Sequence, residues 1–178
     1  DAAGNAAAQL TSSAFTVDTS APSINAIATS ALSWGAVLNA TEDNSAGTVT
    51  VTTVGVDDGQ TLTITLNGDT YTGSVSSNSV TVTITAAGLQ ALTDGQSYTM
   101  TADVSDAAGN AAAQLTSSAF TVDKTAPSIS AIATTAFSWG AVLNATEDNS
   151  NGTVSITTTG VDDGQVVTIT LNGDTYTN

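Results

Sequence analysis

Residues 60–76 read QTLTITLNGDTYTGSVS, and residues 79–85 read SVTVTIT. In the first run Leu62, Ile64 and Leu66 alternate with Thr61, Thr63 and Thr65. In the second, Val80, Val82 and Ile84 alternate with Thr81, Thr83 and Thr85. An apolar residue at every second position puts one face of an extended chain in a core and the other in solvent. Asn67-Gly68 between two such runs predicts a type I′ hairpin, and Asn172-Gly173 repeats it.

Working outward, the same pattern predicts strand A over about 22–30, B over 47–55, C over 60–67 and C′ over 69–76, then E over 79–86, F over 96–105 and G over 112–122. Only Ala86–Leu92 has helical character, enough for one turn. About seven short antiparallel strands with Gly/Asp/Asn turns define an all-β, immunoglobulin-like sandwich. Asp94-Gly95-Gln96-Ser97-Tyr98 predicts a tyrosine corner, with the phenol tied back to the upstream backbone. Trp34 and Trp139 are expected in the core or capping a pole.

The chain repeats itself at an offset of 105 residues. DAAGNAAAQLTSSAFTVD at 1–18 recurs unchanged at 106–123, SWGAVLNATEDNS at 33–45 recurs at 138–150, and VDDGQ at 56–60 recurs at 161–165. Over 73 overlapping positions the copies differ at twelve, among them Leu32/Phe137 and Thr19/Lys124. A period of this length is one sandwich domain rather than a solenoid unit. The expected organisation is a C-terminal strand segment of a preceding repeat at 1–17, a complete domain at 18–122 and the N-terminal half of a third at 123–178. The abrupt ends fit a piece of a longer array.

Sixteen Asp and Glu face one basic residue, Lys124, for a formal net charge of −15, with no His and no Cys. A single cation cannot neutralise a phosphate backbone or an anionic membrane surface. Without His or Cys there is no Ser-His-Asp triad, thiol nucleophile or ordinary zinc site. No run of eighteen apolar residues predicts a membrane span, and the N-terminus does not read as a signal peptide.

Placed on a sandwich, the acids sort to the ends. Asp18, Asp57, Asp58, Asp103, Asp106 and the amide of Asn110 fall at one pole; Glu42, Asp43, Asp69 and Asp94 fall at the other. Head-to-tail repeats bring unlike poles together, and two carboxylates 4 Å apart repel by ~4 kcal/mol at an effective dielectric of ~20. Ca²⁺ relieves this, since it accepts six to eight carboxylate, amide and carbonyl oxygens; Mg²⁺, with its tight octahedron, suits the loops less well. The alternative is that these are turn formers, hydrogen-bonding their own backbone.

The series VLNATED…GVDDGQTLTITLNGDTYTGSV…LQALTDGQSYTMTADVSDAAGN…FTVDKTAPSI resembles the tandem bacterial Ig-like extender repeats of giant RTX adhesins, over the whole chain. The resemblance implies a non-catalytic spacer, type I secreted and held at the bacterial cell surface, with Ca²⁺ stiffening its linkers. It implies linker ligands at Asp18 and Asp123, B–C loop ligands at Asp57, Asp58, Asp162 and Asp163, F–G loop ligands at Asp103 and Asp106, and an A–B glutamate at Glu42 and Glu147. Asn110 and Asp94 complete the candidate ligands. The expected partners are neighbouring repeats of a monomeric chain, with no nucleic acid, membrane insertion or small-molecule substrate.

Two other readings stand beside it. The Thr ladders are compatible with a carbohydrate- or ice-binding module, though Thr is also the ordinary polar residue of a solvated strand face and aromatics make up only 4% of the chain. Paired carboxylates are compatible with a glycosidase. The pairs Asp57/Asp58 and Asp103/Asp106 are better placed to chelate than to straddle a sugar, so an enzyme is not expected.

Overall fold

The computed structural model describes residues 1–177 and separates into two units, Asp1–Val122 and the residues from Asp123 onward. In the first unit the strands are β1 (Ser23–Ile24), β2 (Val37–Asn39), β3 (Gly47–Val54), β4 (Thr61–Leu66), β5 (Asp69–Ser74), β6 (Ser79–Ile84), β7 (Ser97–Tyr98), β8 (Met100–Asp103), β9 (Leu115–Thr116) and β10 (Phe120–Asp123). One short helix, α1 (Ala86–Gln90), joins β6 to β7. It starts at Thr85, whose side chain accepts the Gly88 N–H.

One layer has the order β1-β3-β6 and the other β5-β4-β8-β9, with β2-β10-β7 continuing the second layer. The pairs β1–β3, β3–β6, β4–β5, β4–β8, β8–β9 and β7–β10 are all antiparallel. Thr48, Thr50 and Thr52 face Thr83, Thr81 and Ser79 across β3 and β6, while Val49 and Val51 pair with Val82 and Val80 on the inner side. Leu62, Ile64, Leu66, Val82, Ile84, Met100 and Phe120 are all buried between the layers. The Thr/aliphatic alternation therefore does what its period requires.

Both hairpin and corner behave as the local sequence predicts. Asn67 and Gly68 have φ of 51° and 90°, the two left-handed residues of a type I′ turn. The Thr93 N–H donates to the Tyr98 phenol oxygen at 2.9 Å. A second tight turn carries no such local signal: Ser77 and Asn78, at φ 52° and 60°, reverse the chain between Ser76 and Ser79.

Strands A, F and G depart from the continuous runs expected. Strand A ends at Ile24, the chain passes through a 3₁₀ turn at Thr29–Ala31, and it then joins the other layer as β2 beside β10. F and G each split in two. The reason lies at Ser117, whose hydroxyl accepts the Met100 N–H at 2.9 Å while its own N–H donates to the Met100 carbonyl at 2.8 Å. A side chain thus replaces one main-chain rung of the ladder.

Residues 6–22 contain no strand, and Phe15 and Val17 are 83% and 77% exposed. Their identical counterparts Phe120 and Val122 are each 1% exposed.

In the second unit β11 (Ser128–Ile129) pairs with β12 (Thr158–Thr159), and β13 (Thr168–Leu171) pairs with β14 (Asp174–Thr177). Asn172 and Gly173 repeat the left-handed hairpin, with φ of 51° and 92°. The eight-residue β3 shrinks to two residues in its counterpart β12, because the ladder partner of β3 is β6 and residues 123–178 contain no copy of β6. Val167 and Ile169 are correspondingly only half-buried, where Leu62 and Ile64 are fully buried.

Candidate metal-binding poles

Three chain segments meet at one pole of the first unit. The Asn110 side chain donates to the Asp18 carbonyl at 3.2 Å, joining the F–G loop to the linker. The Ala107 N–H donates to Asp57 Oδ2 at 3.0 Å, joining the same loop to the B–C loop. Asp58 Oδ1 accepts the Ser77 N–H, which holds the left-handed serine turn in place. Asp18 Oδ1 accepts the Ser20 N–H at 2.9 Å, an Asx turn that sets the linker's direction.

Asp106 lies deepest, at 4% exposure. Its carboxylate accepts the Asn110 side-chain N–H at 2.9 Å and the Asn110 backbone N–H at 2.8 Å. The side-chain bond from Asn110 holds its pKa below the ordinary carboxylate value of 3.8; burial pushes the other way, and backbone N–H groups of Asn110, Ala108 and Gly109 assist the lowering. Asp1 makes the same bonds to Asn5, at 2.9 Å from the backbone and 2.8 Å from the side chain. Nothing else of the sandwich surrounds residues 1–5, so D-A-A-G-N folds as a self-contained loop.

A depressed pKa in the folded state stabilises the protein above the unfolded carboxylate value, and that stabilisation is lost as pH falls through the folded value. Asp106→Asn should therefore lower the urea midpoint at pH 7, where one of its two acceptors has become a donor facing Asn110. The gap between variant and parent should narrow at pH 3. An equal gap at both pH values would sink this account of Asp106.

Asp103 stands apart from that loop. It ends β8 on the outer face, opposite Thr63, and both carboxylate oxygens accept from the Gln114 amide at 3.0 and 2.9 Å. With Thr61, Thr63 and Ser105 it borders an open hollow of about 370 Å³.

At the other pole Glu42 and Asn39 form a reciprocal box. Glu42 Oε2 accepts the Asn39 N–H at 3.0 Å, and Asn39 Oδ1 accepts the Thr41 and Glu42 N–H groups at 2.8 and 3.0 Å. Asn144 and Glu147 repeat the arrangement. The pattern N-x-x-E is readable from sequence as a capping box. Asp43 is buried beside it, and the Gln90 amide of α1 donates to the Asn44 side-chain oxygen at 3.2 Å. Asp94 lies in the turn after α1, where the next residue, Gly95, donates its N–H to the Val122 carbonyl at 2.8 Å.

In the second unit Asp123 Oδ1 accepts the Thr125 N–H at 3.1 Å, as Asp18 does with Ser20. Asp123 and Asp162 border a hollow of about 580 Å³. Asp163 is exposed beside it.

The donor set is entirely hard oxygen, the class that Ca²⁺ takes. Among the described residues, however, no three carboxylates come close enough together to hold one metal ion. Asp18, Asp57, Asp58 and Glu42 accept backbone N–H groups instead, Asp103 accepts the Gln114 amide, and Asp106 accepts both the backbone and the side chain of Asn110. An ion at the first pole of the first unit would need the Asp18 carbonyl, the Asn110 amide oxygen or a neighbouring repeat to complete its shell. Trp34, at 5% exposure, sits against Phe120 with ring centres 5.4 Å apart, which excludes it as an exposed sugar platform. Trp139 stacks on Phe137 at 5.1 Å.

A two-layer, largely antiparallel sandwich with carboxylates at its poles and an internal 105-residue repeat defines a tandem Ig-like module. Its whole length matches a solved Ca²⁺-stabilized adhesin with which an Antarctic bacterium reaches out and binds ice, at 35% identity and a TM-score of 0.54. The chain belongs to the bacterial Ig-like repeats of such adhesins. It spans 43% of that solved chain. Two further solved structures are similar. A 1.5-MDa bacterial ice-binding adhesin, studied for its retention at the host cell surface, matches over 62% of this chain and 35% of its own at 34% identity, with a TM-score of 0.42. An Ig-like domain of the M. primoryensis ice-binding adhesin matches over 57% of this chain and 95% of its own at 32% identity, with a TM-score of 0.40. No protein-family model matches the chain, and no curated protein does.

Proposed function

We propose that the chain is a non-catalytic spacer of a bacterial adhesin, in which tandem sandwich domains form a rod outside the cell and Ca²⁺ stiffens the junctions between successive repeats. The observation that carries this reading is a sandwich domain whose sequence recurs in part at an offset of 105 residues, with all seven acidic positions of the overlap unchanged. The similarity to a Ca²⁺-stabilized adhesin over the full chain supports it. Type I secretion and anchoring elsewhere in a parent chain belong to the same proposal.

Asp18, Asp57, Asp58, Asp103, Asp106 and Asn110 at one pole, with Glu42 and Asp94 at the other, are the residues that would hold the ions. Asp123, Asp162, Asp163 and Glu147 repeat those places in the second unit. Bound Ca²⁺ supplies positive charge where unlike acidic poles meet. The chain's own part is to present oxygens on loops preset by Asx turns and by the Asp106–Asn110 bonds. A carbohydrate- or ice-binding module has weaker support, since the Thr rows are explained as solvated strand faces and Trp34 is buried.

Melting and small-angle scattering of a multi-repeat protein, in Ca²⁺ and in chelator, test the proposal. With affinities in the extracellular range of ~10⁻⁴–10⁻³ M, about 5 mM Ca²⁺ stabilises by ~1–2 kcal/mol per site. We expect a higher Tm, a larger radius of gyration, and loss of both responses with Asp18 and Asp123 changed to Ala. An unchanged radius in Ca²⁺ would remove the stiffening role.

A further inference from the structure

Asn67 and Gly68 close the β4–β5 hairpin, and the same two residues bring a carboxamide next to an unhindered backbone nitrogen. In an Asn-X pair the nitrogen of X can attack the asparagine side-chain carbon and close a five-membered imide. A side chain on X obstructs that approach, and glycine has none. Both residues of the turn are exposed. The Gly68 N–H lies outside the β4–β5 ladder, whose last pair is Leu66↔Asp69.

The turn supplies part of the geometry that ring closure needs. In an L residue Cβ eclipses the next backbone nitrogen when ψ is about −120°, the value at the first central residue of a type II′ turn, where φ is about +60°. Asn67 already has a φ of 51°. Turning over the 67–68 peptide alone converts type I′ to type II′, and both are hairpin connections, so the strands stay in place. Gly68 then leaves its φ of 90° for a negative value, with no Cβ in the way. Other asparagines of the first unit lack this combination. Asn39, Asn44 and Asn110 hold their carboxamides in bonds to the backbone, and Ala, Ser and Ala follow them. Asn78 has a φ of 60°, but Ser79 follows it.

We propose that Asn67 is a site of self-modification by deamidation in the folded protein, with the β4–β5 turn positioning the reacting atoms and water as the co-reactant. The Gly68 nitrogen forms a bond to Asn67 Cγ and gives up its proton, the Cγ–Nδ2 bond breaks, and ammonia leaves. Water then opens the imide at one of its two carbonyls. If the new N–Cγ bond breaks, an ordinary aspartate stands at 67. If the original peptide bond breaks, the main chain runs on through Cβ and Cγ as isoaspartate. Either product adds one negative charge two residues from Asp69. Asp-Gly suits a type I′ turn as well as Asn-Gly, so the first product keeps the hairpin. The second adds a main-chain carbon to a two-residue turn and disturbs the register in which Leu66 faces Asp69 and Ile64 faces Tyr71. Asn172-Gly173, with φ of 51° and 92° and Leu171 facing Asp174, offers the same geometry. The reaction is independent of any bound Ca²⁺ and of the spacer role.

Incubation of the intact, folded protein in mildly alkaline buffer tests this, with ion exchange to count added charges and peptide mass mapping to place them. More acidic forms should accumulate, with the change at Asn67 and Asn172, and an isoaspartyl methyltransferase should label part of them. The isoaspartyl form should melt below the Asn67→Asp variant. Asn67→Gln, which would need a six-membered ring, should abolish conversion at that position, and Gly68→Ala should slow it about ten-fold or more. Alanine at that φ strains the turn, so the unaltered protein in urea supplies a second measure: conversion at Asn67 in the folded state should stay within about ten-fold of the unfolded rate, since both turn types fit the hairpin. Asn67 intact in the folded protein while it reacts in urea overturns the proposal. So does conversion at Asn151-Gly152, which lies outside any hairpin, with Asn67 unchanged, or conversion at Asn39, Asn44 or Asn110 as fast as at Asn67.

Discussion

Phe120→Ala should remove ~3–5 kcal/mol from the first unit, and Phe15→Ala, in the same eighteen-residue sequence, should remove nothing measurable. Phe120 is 1% exposed, edge-on to Trp34 at 5.4 Å and 6.2 Å from Tyr98, its cross-strand partner. Truncating a ring so placed forfeits its transfer energy and leaves a cavity between two layers that cannot collapse around it. For a domain of this size each kcal/mol moves Tm by about 4–8 °C, so a fall of roughly 15–30 °C is expected. Phe15 is 83% exposed and should stay within ±0.5 kcal/mol at concentrations where the chain is monomeric. Because the local sequences are identical, the comparison cancels propensity and solvation of the unfolded chain. Equal losses at both positions would mean that the leading copy competes for the strand position in the sandwich.

That pair also marks how far the sequence can be read. The alternation in β4 and β6, the Asn67-Gly68 turn and the Tyr98 corner are local signals, decided within a few residues, and the structure keeps them. The breaks in F and G were not visible, because they depend on the Ser117 hydroxyl meeting Met100 from seventeen residues away. The Ser77-Asn78 turn was hidden for a similar reason. Serine is a poor left-handed residue, and here its N–H is held by Asp58 from nineteen positions upstream.

The poles divide in the same way. Turn chemistry was enough to send the carboxylates to the loops, and the D-A-A-G-N loop keeps its bonds even where no domain surrounds it. The occupation of each carboxylate was not legible. Asp57 accepts from Ala107, fifty residues on, and such a pairing leaves no trace in spacing. Glu42 is different, since its box with Asn39 is written in four consecutive residues. Charge alone drew attention to a counter-ion, while the capping geometry gives the same glutamate a purely structural task.

The second large effect is expected at Gly47→Val. Gly47 begins β3 opposite Ile84, and a Cβ there would come to 2.5 and 2.6 Å from Cζ3 and Cε3 of Trp34, with Leu89 Cδ1 at 3.1 Å. Its φ is not in the left-handed region, so valine suits the backbone and the cost is steric alone. Trp34 cannot yield easily, since it is held against Phe120 and its indole N–H, buried without an acceptor among the described residues, has no polar contact to exchange. Overpacking of a closed core costs ~1–3 kcal/mol and occasionally more, and the upper end is expected where the obstructing atom belongs to a rigid ring. Urea unfolding should show the loss, with a red shift of tryptophan emission as the ring leaves its seat. Trp34→Leu costs stability by itself, yet in the double variant it should recover part of the Gly47→Val loss, because the two changes share one space. Strict additivity would place the damage in the strand instead. Gly152→Val supplies the control: Gly152 lies under Trp139 in the same way, but that ring is partly exposed and stacked on Phe137, so it can swing aside, and the first unit should melt unchanged.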